Sequence, residues 1–234
     1  MLNSTKSTTR LALFALVSLV LLGVLMQAGQ AAALKPHLRE GWMVGLSYGY
    51  SQGHIDWAGK SQGHPDWPDY GPEEGQKSYR GGALPQMRLA RMISGSVALG
   101  LEYHGWMLEK GSVPDKWRSS LQSLTMAATW YPGNPGSALA GLYLRGGVGY
   151  GWAGLTYVEI DEEPQDHVPL DQEHGDRIDE SGLALQFQLG YEFRFSKSFA
   201  AGLGMGFDYL AINQDIYNSS YYFPITLTGA WYWD

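Results

Sequence analysis

Between Ser181 and Phe195 the odd positions read Leu183, Leu185, Phe187, Leu189, Tyr191, Phe193 and Phe195. The even positions read Gly182, Ala184, Gln186, Gln188, Gly190, Glu192 and Arg194. Such sustained period-two alternation is the signature of a strand with one apolar face. Residues 199–211 repeat it, with Phe199, Ala201, Leu203, Met205, Phe207 and Tyr209 opposite Ala200, Gly202, Gly204, Gly206 and Asp208. So do residues 221–233, with Phe223, Ile225, Leu227, Gly229, Trp231 and Trp233 on one face. The same pattern predicts strands over 41–51, 82–93, 96–108, 120–131 and 139–158, which makes eight.

Alternation alone does not separate a soluble sandwich from a membrane barrel, but three further features do. The predicted strands are roughly 11–14 residues long, against ~5–6 for a globular strand and ~9–11 for a tilted membrane strand. Their polar face is mostly Gly, Ala, Ser and Thr, which suits a narrow, crowded lumen. The connections alternate between tight turns and long polar loops. Short turns fall at 93–96, 131–136 and 195–198, and long loops at about 52–80, 109–119, 159–180 and 212–220. The expected fold is therefore all-β: an eight-stranded antiparallel up-and-down transmembrane β-barrel with short periplasmic turns and long extracellular loops. Aromatics fit two interfacial girdles. Trp42, Trp130, Tyr131, Phe193, Phe199, Trp231 and Trp233 lie near the turn ends, and Tyr48, Tyr50, Tyr103, Tyr150, Trp152, Tyr209 and Tyr221 near the loop ends.

The N-terminus carries an address. Lys6 and Arg10 precede an apolar run from Leu11 to Met26, and small residues Ala31-Ala32-Ala33 follow, as in a secretory signal peptide. The run is short of the ~20 residues of a spanning helix. Cleavage is expected after Ala33 or Ala31, leaving the barrel as residues 34–234. Loss of Lys6 and Arg10 leaves 14 of the 16 bases against all 23 acids, a mature net charge of −9. That balance gives no basic footprint for nucleic acid. The absence of cysteine excludes disulfides, thiol catalysis, Cys-ligated metals and lipidation of an N-terminal Cys. The 31 glycines and 13% aromatic content are ordinary for a barrel and unusual for a helical protein.

Signal peptide, eight alternating strands and three short turns together resemble the small Gram-negative outer-membrane barrels of the OmpA transmembrane domain and OmpX type. The resemblance covers the mature chain in pattern, and its nearest approach to a motif is the final strand, Ile225-x-Leu227-x-Gly229-x-Trp231-x-Trp233. In that family the barrel-assembly machinery reads an aromatic at the end of such a strand; here Trp233 is followed by Asp234. No segment after the eighth strand corresponds to the periplasmic domain of OmpA, so none is expected. The resemblance implies a monomer surrounded by outer-membrane lipid and lipopolysaccharide, with no cofactor.

Candidate chemistry falls in the loops and the lumen. The first loop repeats Ser-Gln-Gly-His-x-Asp-Trp at 51–57 and 61–67, so His54, Asp56, His64 and Asp66 form a candidate divalent-metal set. The alternative is a local duplication in a tolerant surface loop. The loop 159–180 carries ten acids against Arg177 alone, a candidate site for divalent cations bridging lipopolysaccharide phosphates, although it lacks EF-hand spacing. By strand parity Arg88, Glu102, Arg145, Glu192, Arg194 and Asp208 point into the lumen, three bases and three acids. Buried charges so dense should pair. The hairpin at 93–96 sets Arg88 opposite Glu102, and Arg145–Glu192 is a second, less constrained pair.

An enzyme is the weaker reading. A lipid A deacylase would need a serine two residues after a histidine, but His104 is followed by Gly105-Trp106. A lipid A palmitoyltransferase, or an OmpW-like channel for small apolar solutes, would need an apolar lumen, which the six charges oppose. The sequence thus predicts a non-enzymatic outer-membrane barrel whose loops act in adhesion, envelope integrity, or contact with lipopolysaccharide or a host.

Overall fold

The computed structural model describes residues 39–58, 75–82, 85–110, 116–134, 136–158, 177–214 and 217–234. The expected signal peptide, 1–33, lies outside them. The strands are β1 (Trp42–Trp57), β2 (Gly75–Gly82), β3 (Gln86–Ser94), β4 (Val97–Lys110), β5 (Lys116–Trp130), β6 (Leu142–Val158), β7 (Arg177–Arg194), β8 (Phe199–Ala211) and β9 (Tyr217–Trp233). Eight of them, β1 and β3 to β9, form an antiparallel ring that closes through β1–β9, where Trp42 pairs with Trp233 and Tyr50 with Ile225. Closure leaves the ring no free edge in the apolar medium, where unpaired amides are most costly.

Burial follows parity. On β7 Leu183, Leu185 and Phe187 are exposed, while Ala184, Gln186, Gln188 and Glu192 are buried. In the lower girdle Trp42, Trp130, Trp231 and Trp233 are exposed, and in the upper one Tyr48, Tyr50 and Tyr150. Tyr131 departs from this pattern. Its amide is held by the Ser96 carbonyl at 2.8 Å and its ring is buried in the lumen, so it is no girdle residue.

Two tight turns share one local solution. In Ser94-Gly95-Ser96 and Ser196-Lys197-Ser198 the first serine hydroxyl accepts the amide three residues on, Val97 N at 3.1 Å and Phe199 N at 3.0 Å. The third connection is longer than expected. Residues 137–141 form turns, with Ala140 N on Ser137 O at 3.0 Å and Leu142 N on Leu139 O at 3.0 Å, so β6 starts at Leu142 rather than 139.

At the opposite end the strands outrun their predicted lengths. Gln52–Trp57 and Gly75–Arg80, expected in a loop, belong to antiparallel strands in register from Tyr50↔Gly82 to Trp57↔Gly75. The inward alternation simply continues through Ser51, Ile55 and Trp57, and Trp57 Nε1 donates to Tyr79 Oη at 3.0 Å. Of the predicted strand 82–93, β3 takes up the ladder at Gln86, after exposed Pro85, which has no amide to offer. β2 bears polar Gln76, Ser78 and Arg80 on its outer side, all exposed, and so stands above the apolar band that ends near Tyr50.

The lumen is filled in layers. An apolar layer at the loop end includes Ile55, Trp57, Trp106, Leu121, Leu155, Tyr217 and Tyr222. Another at the turn end includes Met43, Met92, Tyr131, Tyr143 and Tyr232. Large rings fit because glycines face them. A Cβ on Gly53 would fall 2.8 Å from the Trp106 ring, and one on Gly190 would fall 2.3 Å from Tyr143 Oη. Eight-stranded barrels leave an interior just wide enough for such side chains.

The inside–outside assignment makes a testable distinction. Leu185→Arg should cost ~2–4 kcal/mol in unfolding from phospholipid vesicles, since Leu185 faces lipid. Ala184, buried and inward, should instead respond to size, with Ala184→Leu destabilising through crowding. Both proteins, where folded, should migrate differently on gels before and after boiling.

Candidate functional site: a belt of buried charges in the lumen

Between the two apolar layers lies a polar belt. Glu102 on β4 is its hub and is 2% exposed. Its Oε1 lies 3.0 Å from Arg145 Nε of β6 and 3.8 Å from Arg88 Nε of β3. Its Oε2 accepts from Gln186 Nε2 at 2.6 Å and meets His104 Nε2 at 3.2 Å. The Arg145 Nε proton is directed at Thr129 Oγ1, 3.0 Å away, so the contact with Glu102 is ionic rather than a linear hydrogen bond. Arg145 Nη1 donates to Gln188 Oε1, and its guanidinium lies 4.8 Å from the Tyr143 ring centre. Gln186 and Gln188 are themselves held, by Thr125 at 2.8 Å and by Thr226 at 3.1 Å.

Glu192 on β7 is a second hub, nearer the turn end. It takes Arg88 Nη2 at 3.1 Å, Tyr232 Oη at 2.7 Å and Tyr131 Oη at 3.2 Å. Arg39, ahead of β1, stacks its guanidinium 3.8 Å from the Tyr131 ring centre and donates to Ala140 O at 2.7 Å. Arg88 therefore bridges the two carboxylates, one on the neighbouring strand and one across the lumen.

His104 links the belt to Asp208. Its Nε2 faces Glu102 and its Nδ1 lies 3.3 Å from Asp208 Oδ1. A neutral imidazole has one N–H, so only the doubly protonated ring serves both carboxylates. With that ring counted, Arg88, Arg145 and His104 oppose Glu102, Glu192 and Asp208, and the belt is neutral. An uncompensated charge here would bear several kcal/mol of desolvation.

The geometry revises the expected pairings. Arg88 and Glu102 face each other across the β3–β4 ladder. Arg145 and Glu192 do not pair: Arg145 stands opposite Gln188, and Glu192 lies four residues nearer the turn on the same strand. The ion partner of Arg145 is Glu102. Arg194 stands apart from the belt as the last residue of β7, where Nη2 donates to the Lys197 carbonyl at 2.6 Å and the guanidinium lies 4.1 Å from the Tyr232 ring centre. His104 is a belt member that the parity reading did not include, and Arg39 lies beside the belt, on Tyr131. Parity with Glu102 could have signalled His104, whereas Arg39 precedes the alternation and gave no signal.

The loop candidates are brought together less. His54 and Asp56 lie on the outer side of β1, where the His54 ring stacks on Tyr221 at 4.7 Å. His64 and Asp66 lie outside the described residues, among which no group of three or more His, Cys, Asp or Glu is placed to hold a metal. Of the acidic stretch, 159–176 lies outside the described residues, and Glu180 is already engaged. It is buried on β7, where its carboxylate accepts the Tyr217 amide at 2.9 Å. As an internal partner it drops out of the cation-binding set.

No family model matches this chain, and no curated protein sequence does. Solved structures do resemble it. Neisserial surface protein A is 10% identical with a TM-score of 0.53, covering 83% of this chain and 98% of that one. Ail of Yersinia pestis, in complex with the heparin analogue sucrose octasulfate, is 14% identical with a TM-score of 0.47 over 82% and 98%. OprG of Pseudomonas aeruginosa is 14% identical with a TM-score of 0.40 over 84% and 97%. The first of these likenesses shows that the chain has the fold of the small Gram-negative outer-membrane barrels.

Glu102→Gln should destabilise the barrel by about 3 kcal/mol, because it strands the Arg145 guanidinium and leaves Arg88 and His104 with one carboxylate each. In double-mutant cycles, Glu102→Gln should couple more strongly to Arg145→Gln, across 3.0 Å, than to Arg88→Gln, across 3.8 Å and with Glu192 as a second partner. Additivity within ~0.5 kcal/mol in both cycles would mean that the three residues act independently.

Proposed function

We propose that this chain is a non-enzymatic outer-membrane β-barrel protein, exported by a signal peptide over 1–33, that acts through its loop end. The single observation carrying this reading is the lumen: an apolar layer, a neutral belt of paired charges and a second apolar layer lie across the bore. A bore so filled is a packed core and leaves the loops as the surface available for recognition.

The geometry weighs against the rival chemistries. Both His104 nitrogens face carboxylates, although Ser123 stands opposite it on β5, so the ring is not placed to activate that hydroxyl. A palmitoyltransferase or a conduit for apolar solutes would have to pass an acyl chain or solute through buried ions.

The partners of such a protein are outer-membrane lipid around the wall, lipopolysaccharide beside the loops, and the barrel-assembly machinery that reads the last strand during folding. The loops serve adhesion, envelope integrity, or contact with lipopolysaccharide or a host surface. Divalent cations held by the acidic residues of 159–176 would bridge such a loop to lipopolysaccharide phosphates. The barrel works as a monomer.

Deleting 59–74 or 159–176 in cells tests this directly. The expected result is a barrel that still shows heat-modifiable migration in outer-membrane fractions but loses adhesion to host cells or retention on lipopolysaccharide vesicles. Unchanged adhesion, vesicle binding and envelope permeability in both deletions would overturn the reading.

A further inference from the structure

The lipid-facing wall is hollowed between β8 and β9. On the outer side of β8 and β9, Ala201 pairs with Gly229, so two small residues lie side by side. Around them the outward positions are large: Phe193 pairs with Ala201 on one side, Leu203 with Leu227 towards the bilayer centre, and Phe199 with Trp231 towards the turn. The result is an open groove of about 420 Å³ lined chiefly by Phe193, Phe195, Ala201, Leu203, Leu227 and Gly229. No charged side chain lines it.

The position of this groove limits what fills it. It faces the hydrocarbon, so its occupant is apolar and comes from the bilayer. It adjoins the short Ser196–Ser198 turn, so that occupant belongs to the periplasmic leaflet, a placement that rests on the outer-membrane reading above. An unfilled concavity forfeits dispersion contacts that a seated chain restores. Two residues beyond Phe195, which lines the groove, Lys197 is exposed on the adjoining turn. The turn is braced, with Arg194 Nη2 on the Lys197 carbonyl at 2.6 Å and the Ser196 hydroxyl on the Phe199 amide. An exposed lysine carried on that turn at headgroup depth, next to an apolar groove, complements an anionic phosphate whose acyl chain lies in the groove.

We propose that this groove is a seat for one anionic phospholipid of the periplasmic leaflet, with its phosphate at Lys197 and an acyl chain over Ala201 and Gly229. The full mature barrel, refolded in zwitterionic detergent, is loaded with phosphatidylglycerol or phosphatidylcholine, and retained lipids are counted by native mass spectrometry. One phosphatidylglycerol should survive activation that strips phosphatidylcholine. Lys197→Gln should remove that preference, and Ala201→Leu, which fills the groove from its outer side, should abolish retention of both lipids. Gly229→Ala should weaken retention without depending on the same residue.

Heat-modifiable migration, read on the same samples, separates this inference from the barrel assignment. A heat-modifiable protein that keeps the two lipids alike, or whose retention is untouched by Ala201→Leu and Gly229→Ala, overturns the seat and leaves the barrel standing. A dimer abolished by Ala201→Leu overturns it too, because the occupant would then be a second copy.

Discussion

A carboxylate at the centre of a narrow barrel has no bulk water to turn to, and the rest of this lumen is arranged around that fact. Glu102 gathers two arginines, a histidine and a glutamine from four other positions on the wall. Each of those groups is held in turn, Arg88 by Glu192, His104 by Asp208, and Gln186 by Thr125. The contacts reach across the bore rather than only between neighbouring strands, so they tie opposite sides of the barrel together. Backbone ladders fix the order of the strands, and the belt ties together walls that share no ladder. Its value therefore lies as much in specifying one closed arrangement as in raw stability, the better-attested use of buried ions.

The apolar layers on either side make that belt tolerable. Trp106 caps it from the loop end over Gly53, and Tyr143 closes it from the turn end over Gly190 and Gly204. With large rings above and below, the charges sit in a low-dielectric space where pairing is strong and an unpaired group is costly. The same rings occupy the room through which a solute or an acyl chain would have to move. A filled bore inside an apolar wall is the ground for proposing that recognition belongs to the loop end.

Much of this was legible in the chain, because a strand has only two faces. Parity alone sorted Leu185 from Ala184 and placed Arg88, Glu102 and Asp208 inside. The tight hairpin at 93–96 fixed the Arg88–Glu102 register, since few residues intervene. The contact of Arg145 with Glu102 was illegible for the opposite reason. Partners across the bore depend on strand tilt and stagger around the whole ring, which no local pattern encodes. Strand ends were misjudged where polar residues continued the alternation: Gln52 to Trp57 looks like a loop by composition and is a strand by register. Tyr131 does not belong to the girdle because it follows outward-facing Trp130, and parity continued one residue past the strand turns its ring into the lumen.

The belt and its two apolar layers together close the bore. Single-channel recording of the purified, heat-modifiable barrel in planar bilayers tests it most directly. The native protein should show no stepwise conductance, and steps should open when Trp106→Ala and Tyr143→Ala together remove the rings that cap the belt. A steady conductance from the native barrel would contradict it.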